Sequence, residues 1–148
     1  MSNAQLTSLL LRGELVHQQV TDPAAGSDFG VQFPNFMRQE ILYVAFRFIT
    51  SAAVANRNVT LCFRDGGGTI IWRSTPVVAQ TAGQTRYYYA SAANGPNTII
   101  YPLALQIALP PLNVLGPFYQ LGSVIDAIDI GDQLALITIN RLQHGEPG

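Results

Sequence analysis

Three stretches of this 148-residue sequence hold residues whose types and spacing could do chemistry: 63–74 (FRDGGGTIIWRS), 126–132 (DAIDIGD) and 86–90 (RYYYA). Consecutive glycines can cradle a phosphate. That use requires Gly-x-x-x-x-Gly-Lys-Ser/Thr opening a helix, so that backbone N–H groups and the helix dipole face the anion. Here no lysine follows, and Thr69, Ile70, Ile71 and Trp72 are β-formers. Asp65-Gly66 therefore predicts a hairpin turn with positive φ at the glycine, and the extra glycine allows a neighbouring backbone to approach closely.

The acidic stretch puts Asp126, Asp129 and Asp132 three apart, whereas a calcium loop of the EF-hand type needs oxygen ligands at alternate positions and a closing Glu. Gly131-Asp132 reads instead as a turn in which Asp caps backbone donors. His17 and His144 have no spacing that suggests zinc. Nucleophilic catalysis needs a Ser or Cys activated by a His and an orienting acid, but no Gly-x-Ser-x-Gly occurs and Cys62 sits inside an alternating run, VTLCFR. Paired carboxylates could still be assembled from distant positions. No catalytic, cofactor or metal residue is assigned. In RYYYA, Tyr87 and Tyr89 fall on one face and Tyr88 on the other, which suits core on one side and interface on the other, with a sugar platform as a further use.

Composition points the same way. The chain is 48% hydrophobic but only 11% charged, against about 25% charged for an ordinary soluble domain. All eight basic residues are arginines. Arg is less strongly hydrated than Lys and carries a rigid fork of donors, so it is favoured where surface is covered by a partner. Bias toward arginine codons would also explain the missing lysine, but not the low total charge. A net charge of −1 without a basic run lacks the footprint for phosphate-backbone binding, so no nucleic-acid partner is expected. Leu9, Leu10 and Leu11, followed by Arg12 and Glu14, make too short a run for a signal-peptide core or a membrane span. The single cysteine excludes an intramolecular disulfide.

The elements that must position these residues repeat with period two, each run closed by Gly, Pro, Asn or Asp. In 41–50, Leu42, Val44, Phe46 and Phe48 share one face, with Tyr43 and Arg47 opposite. Val59, Leu61 and Phe63 align in the next run. In 99–109, Ile99, Tyr101, Leu103, Leu105, Ile107 and Leu109 align, with Pro102 marking an edge or a break. Further candidate strands are 14–20, 69–73, 86–91, 123–128 and 133–142. Eight short strands predict an all-β, antiparallel, jelly-roll-like sandwich with an N-terminal arm. Residues 1–38 are read as the arm and a loop, with the first candidate strand inside them, 39–142 as the sandwich, and 143–148 as a tail. LTSLLLRGEL could form a short helix before Gly13, and the turn-rich 21–35 reads as a long loop or arm.

The order VANRNVTLCFRDGGGTIIWRS, QTAGQTRYYYA, then LPPLNVLGPFYQLGSVIDAIDIGDQLALITINRL resembles small virion proteins of tailed bacteriophages over 47–142. The resemblance rests on turns and strand patterns, and departs from the family where Leu115-Gly116-Pro117 replaces a plain Pro-Gly turn. It implies a jelly-roll-like cement or decoration protein on the capsid exterior, made in the host cytoplasm. Its expected partners are the major capsid protein and further copies of itself, a trimer above all, with no membrane partner. Arg64, Trp72, Arg73, Arg86, Tyr87 and Tyr89 are the candidate interface residues. A carbohydrate- or receptor-binding module, or a head-tail or tail component, is the alternative.

Overall fold

The computed structural model describes residues 13–33, 37–76, 78–92, 99–101, 104–110, 114–115 and 118–145. They form a β-sandwich. Along the chain run β1 (Glu14–Val20), β2 (Gly30–Gln32), β3 (Met37–Ile49), β4 (Val59–Arg64), β5 (Ile70–Ser74), β6 (Thr85–Ser91), β7 (Ile99–Tyr101), β8 (Ala104–Ala108), β9 (Val114–Leu115), β10 (Gln120–Ile125) and β11 (Gln133–Gly145). One sheet has the order β1-β11-β3-β6-β8-β7, with β9 added to β3; the other has the order β2-β10-β4-β5. All pairings are antiparallel except β6 with β8, which run parallel. A parallel pair cannot be closed by a tight hairpin, and the crossover here includes β7, which folds back antiparallel on β8. The aligned 99–109 strand of the sequence reading is thus two strands on either side of Pro102.

The alternation predicted for the core holds in most strands. Val59, Leu61 and Phe63 of β4, Leu105 and Ile107 of β8, and Tyr88 and Ala90 of β6 are buried between the sheets. Phe46 stacks on Tyr88 at 5.1 Å, and Phe29 leans on Phe46 at 5.6 Å. Each such Val, Leu, Ile or Phe side chain contributes about 1.5–3 kcal/mol on burial. In β3 the reading needs one correction. Tyr43 pairs with Asn140 and Ile41 with Arg141, so Leu42 is the extra residue of a β-bulge, which switches the face that follows. Ile41 is buried and Leu42 is not.

Residues 14–20 are an integral strand paired along its whole length with β11. The supposed loop 21–35 contains β2, paired with β10, and sends Phe29 and Phe33 into the core. The short alternation Phe29, Val31, Phe33 was masked by the turn formers around it. β11 runs through Gly145 and pairs Gln143, His144 and Gly145 with Gln39, Arg38 and Met37, so the first three residues of the expected tail are sheet. Residues 1–12, which include the candidate short helix, lie outside the described residues.

The Asp65 hairpin is present, with one correction of detail. The Asp65 N–H donates to Thr69 O at 2.9 Å, the Gly68 N–H donates to Asp65 O at 3.0 Å, and Asp65 Oδ1 accepts from the Gly67 and Thr69 N–H groups. The positive φ falls on Gly68, at 86°, and not on Gly66. This is the three-residue hairpin in which a turn is followed by a left-handed glycine. Gly68→Val is expected to lower stability by about 1–2 kcal/mol through the left-handed backbone penalty, and Gly66→Val by distinctly less. Urea titration of both variants checks the order; equal losses would contradict it.

Candidate functional site

The densest polar site lies at one end of the sandwich, where four loops meet around Arg57 and Asp132, both 0% exposed. Arg57 precedes β4, in an otherwise uncharged loop, SAAVANRN. Its Nε and Nη2 donate to the two Asp132 carboxylate oxygens at 2.9 and 3.1 Å. Its Nη1 donates to Ala53 O and Ala55 O, and Nη2 also donates to Ser51 Oγ at 3.3 Å. All five guanidinium N–H groups are therefore used. Asp132 is equally occupied, because Oδ1 also accepts from the Ser51 N–H and Oδ2 from the Asp129 N–H, each at 2.8 Å.

The surrounding loops are tied to the same hub. Ser51 Oγ donates to Asp129 Oδ2 at 2.7 Å, Gly26 N–H donates to Asp132 O at 2.7 Å, and Gly83 N–H donates to Ser51 O at 2.8 Å. Gln80 pairs with Arg57 through the backbone. The Gln80 side chain donates to Phe48 O and accepts from the Tyr88 hydroxyl at 2.9 Å. Burial pushes the Tyr88 hydroxyl up to about 12, so it stays a donor. Asp132 caps backbone donors in a turn, as its place after Gly131 predicts. Arg57 as its partner, 75 positions away, carries no local signal beyond a lone charge in an alanine-rich loop.

A fully saturated ion pair has no donor or lone pair left for a substrate, so the hub acts as a fastener between loops. The other polar sites have structural ties as well. Cys62 is buried, and desolvation raises its thiol above the ordinary value. His17 is hydrogen-bonded to Asn140 Oδ1 at 2.6 Å. Arg141 lies over the Phe33 ring at 5.4 Å and donates to Gln143 Oε1 at 2.7 Å. Among the described residues no three His, Cys, Asp or Glu side chains converge as a metal ion would need.

The six candidate interface residues do not form one patch. Tyr87 and Tyr89 lie half-buried on the outer face of the larger sheet, beside Arg47 and Ala45 of β3. Tyr43, which the sequence reading placed only on a face, joins them with its ring 6.1 Å from that of Tyr89. The Arg47 Nε is buried there without a hydrogen-bond partner. Arg86 is tied to its own chain, donating to Ala79 O at 2.9 Å. Arg64 and Arg73 are on the other sheet, Arg73 exposed on the edge strand β5. Trp72 turns toward the core and packs on Phe63 at 4.7 Å, since it pairs with that inward residue in the β4–β5 ladder.

What the fold and the site define is a charge-poor β-sandwich whose best-formed charged cluster is internal scaffolding. No protein-family model matches the chain, and no curated protein does. Among solved structures it is similar to the dimeric latent form of PorU from Porphyromonas gingivalis, with 16% identity and a TM-score of 0.46, over 90% of this chain and 13% of that one. It is also similar to PfGH50B, with 15% identity and a TM-score of 0.37, over 91% of this chain and 23% of that one. The chain thus spans only a small part of either protein, and at that level of similarity neither bears on its function.

Proposed function

We propose that this chain is a non-enzymatic structural subunit of a bacteriophage virion, a decoration protein that sits on the capsid exterior as a homo-oligomer, a trimer above all, and bridges major capsid subunits. The observation that carries this reading is the surface. Val54, Ile70, Ile71 and Ile130 are exposed apolar side chains on strands and fastened turns, in a chain with little charge to keep a monomer apart from its neighbours. The saturated Arg57–Asp132 pair supports it by assigning the most prominent polar cluster to stability. A second reading, glycan binding, draws on the Tyr43–Tyr89 pair beside Arg47 on the outer sheet face.

Light scattering of the purified protein and quantitative composition of purified particles test the proposal together. The expected result is a trimer in solution and hundreds of copies per particle, with an interface of at least about 1,000 Å² in total. A ring-like copy number would move the chain to the head-tail junction. A monomer that ignores shells and is retained on a glycan array would replace the proposal with the second reading.

A further inference from the structure

The four loops fastened by the Arg57–Asp132 hub present an unusual surface to solvent. Val54 is 97% exposed and Ile130 is 84% exposed. They stand on adjacent loops, three residues and one residue from the Ser51–Asp129 hydrogen bond. Ala25, Ala53 and Ala127 are exposed on the same loops. Among the described residues, two of the three non-glycine residues with positive φ fall at or beside this end: Ala127, at 56°, and Leu136, at 52°, whose N–H is held by Asp22 Oδ1. Non-glycine residues in this conformation are strained and cluster where backbone shape serves a function. Gly26 is packed so closely on the Ile130 backbone that a Cβ would meet it at 2.8 Å. The apolar tips are therefore held in place before any partner arrives, which removes an ordering cost from association.

The exposed charge at this end has one sign. Asp22 and Asp126 are exposed and Asp129 is half-buried; the Ser51 hydroxyl and then the Gly131 N–H hold the Asp129 carboxyl below its ordinary value, so it is ionised at neutral pH. The only arginine in these loops, Arg57, is buried and paired; Arg86 reaches Ala79 O from β6 but is itself half-buried. Two copies meeting through this end would bring acid against acid, which disfavours self-association here.

We propose that this loop end, with Val54 and Ile130 at its tips and Asp22 and Asp126 exposed beside them, is the surface that docks on the capsid shell. Its counterpart is an apolar seat bordered by arginine or lysine on the shell protein. The assignment rests on the decoration reading above and deepens it by separating the shell-facing end from the faces that join copies of this chain. A few residues centred in such contacts carry most of the binding energy, while the charged rim sets orientation and association rate.

The test is cosedimentation with capsid shells lacking this protein, at low and at physiological salt. It uses the full chain, the double variant Val54→Asp/Ile130→Asp, the control Leu15→Asp on β1, and Asp126→Asn. Wild type is expected to bind, more weakly at higher salt. The double variant should lose at least about tenfold in affinity, the loss of 1.4 kcal/mol or more that a central apolar contact carries. Leu15→Asp should bind like wild type, and Asp126→Asn should show a weaker salt dependence. Both aspartate variants should melt like wild type, because the three positions are exposed. A double variant that binds as well as wild type, or a Leu15→Asp variant that loses as much, would overturn the docking assignment and leave the decoration reading standing. Wild type that ignores shells, or that floats with phosphatidylcholine vesicles instead, would overturn both.

Discussion

Asp132→Ala is expected to lower the free energy of unfolding by roughly 3–5 kcal/mol at pH 7, the cost of leaving one member of a buried pair unmatched. Arg57 is fully buried, and its guanidinium would face an empty position where two of its five hydrogen bonds now end. The Ser51 and Asp129 N–H groups would lose their acceptor as well, so three loops loosen together. Asp132→Asn should fall between, since the amide still accepts but carries no charge. Urea unfolding measures the difference, and a loss under about 1 kcal/mol, as for an exposed pair, would remove the hub from the account of stability.

The same variant has a pH signature. Burial pushes the Asp132 carboxyl up, but hydrogen bonds from the Asp129 N–H, Arg57 and the Ser51 N–H outweigh it and hold the group below its ordinary value of 3.8. A carboxyl depressed by folding contributes stability that is fully present above the unfolded value and is lost as pH falls through the folded one. The gap between wild type and Asp132→Ala should therefore be widest near neutral pH and should narrow below about pH 4. A gap independent of pH down to acid unfolding would mean that the ionised form is not what the fold selects.

Gly122→Val should cost about 3 kcal/mol, the upper end of the range for overpacking a close-packed site. Gly122 lies in β10 between β2 and β4, and its φ is not positive, so backbone strain is not the reason. Space is. A Cβ there would come within 2.6 Å of Phe29 O and 3.3 Å of Gly30 Cα, and backbone cannot swing away as a side chain can. The Ser123 N–H to Phe29 O bond at 3.0 Å and the Phe29 N–H to Ser123 Oγ bond at 3.1 Å hold that carbonyl in place. Thermal melting with circular dichroism is the measurement. A variant that melts near wild type would show that β2 can peel from β10 without consequence, and that the Phe29 anchor in the core contributes little.

What the sequence determined by itself was the class of structure and the inward face of most strands. Alternation in 59–63 and 86–90 assigns Val59, Leu61, Phe63, Tyr88 and Ala90 to the core, because a strand's side chains alternate whatever sheet it joins. The Asp65 hairpin was legible for the same reason: its signal is local backbone chemistry. Tertiary structure alone decided the rest. Leu42 leaves the core because a bulge is a mismatch between two strands and is invisible in either one. Trp72 turns inward through its pairing with Phe63, and Phe29 and Phe33 become core because β10 offers β2 an open edge. Arg57 and Asp132 meet only once β4 and β11 are placed in different sheets with their loops at one end, since a buried charge is tolerable only where its partner has already been brought to it. The exposed Val54 and Ile130 follow from that meeting, as tips of loops that the buried pair holds in place.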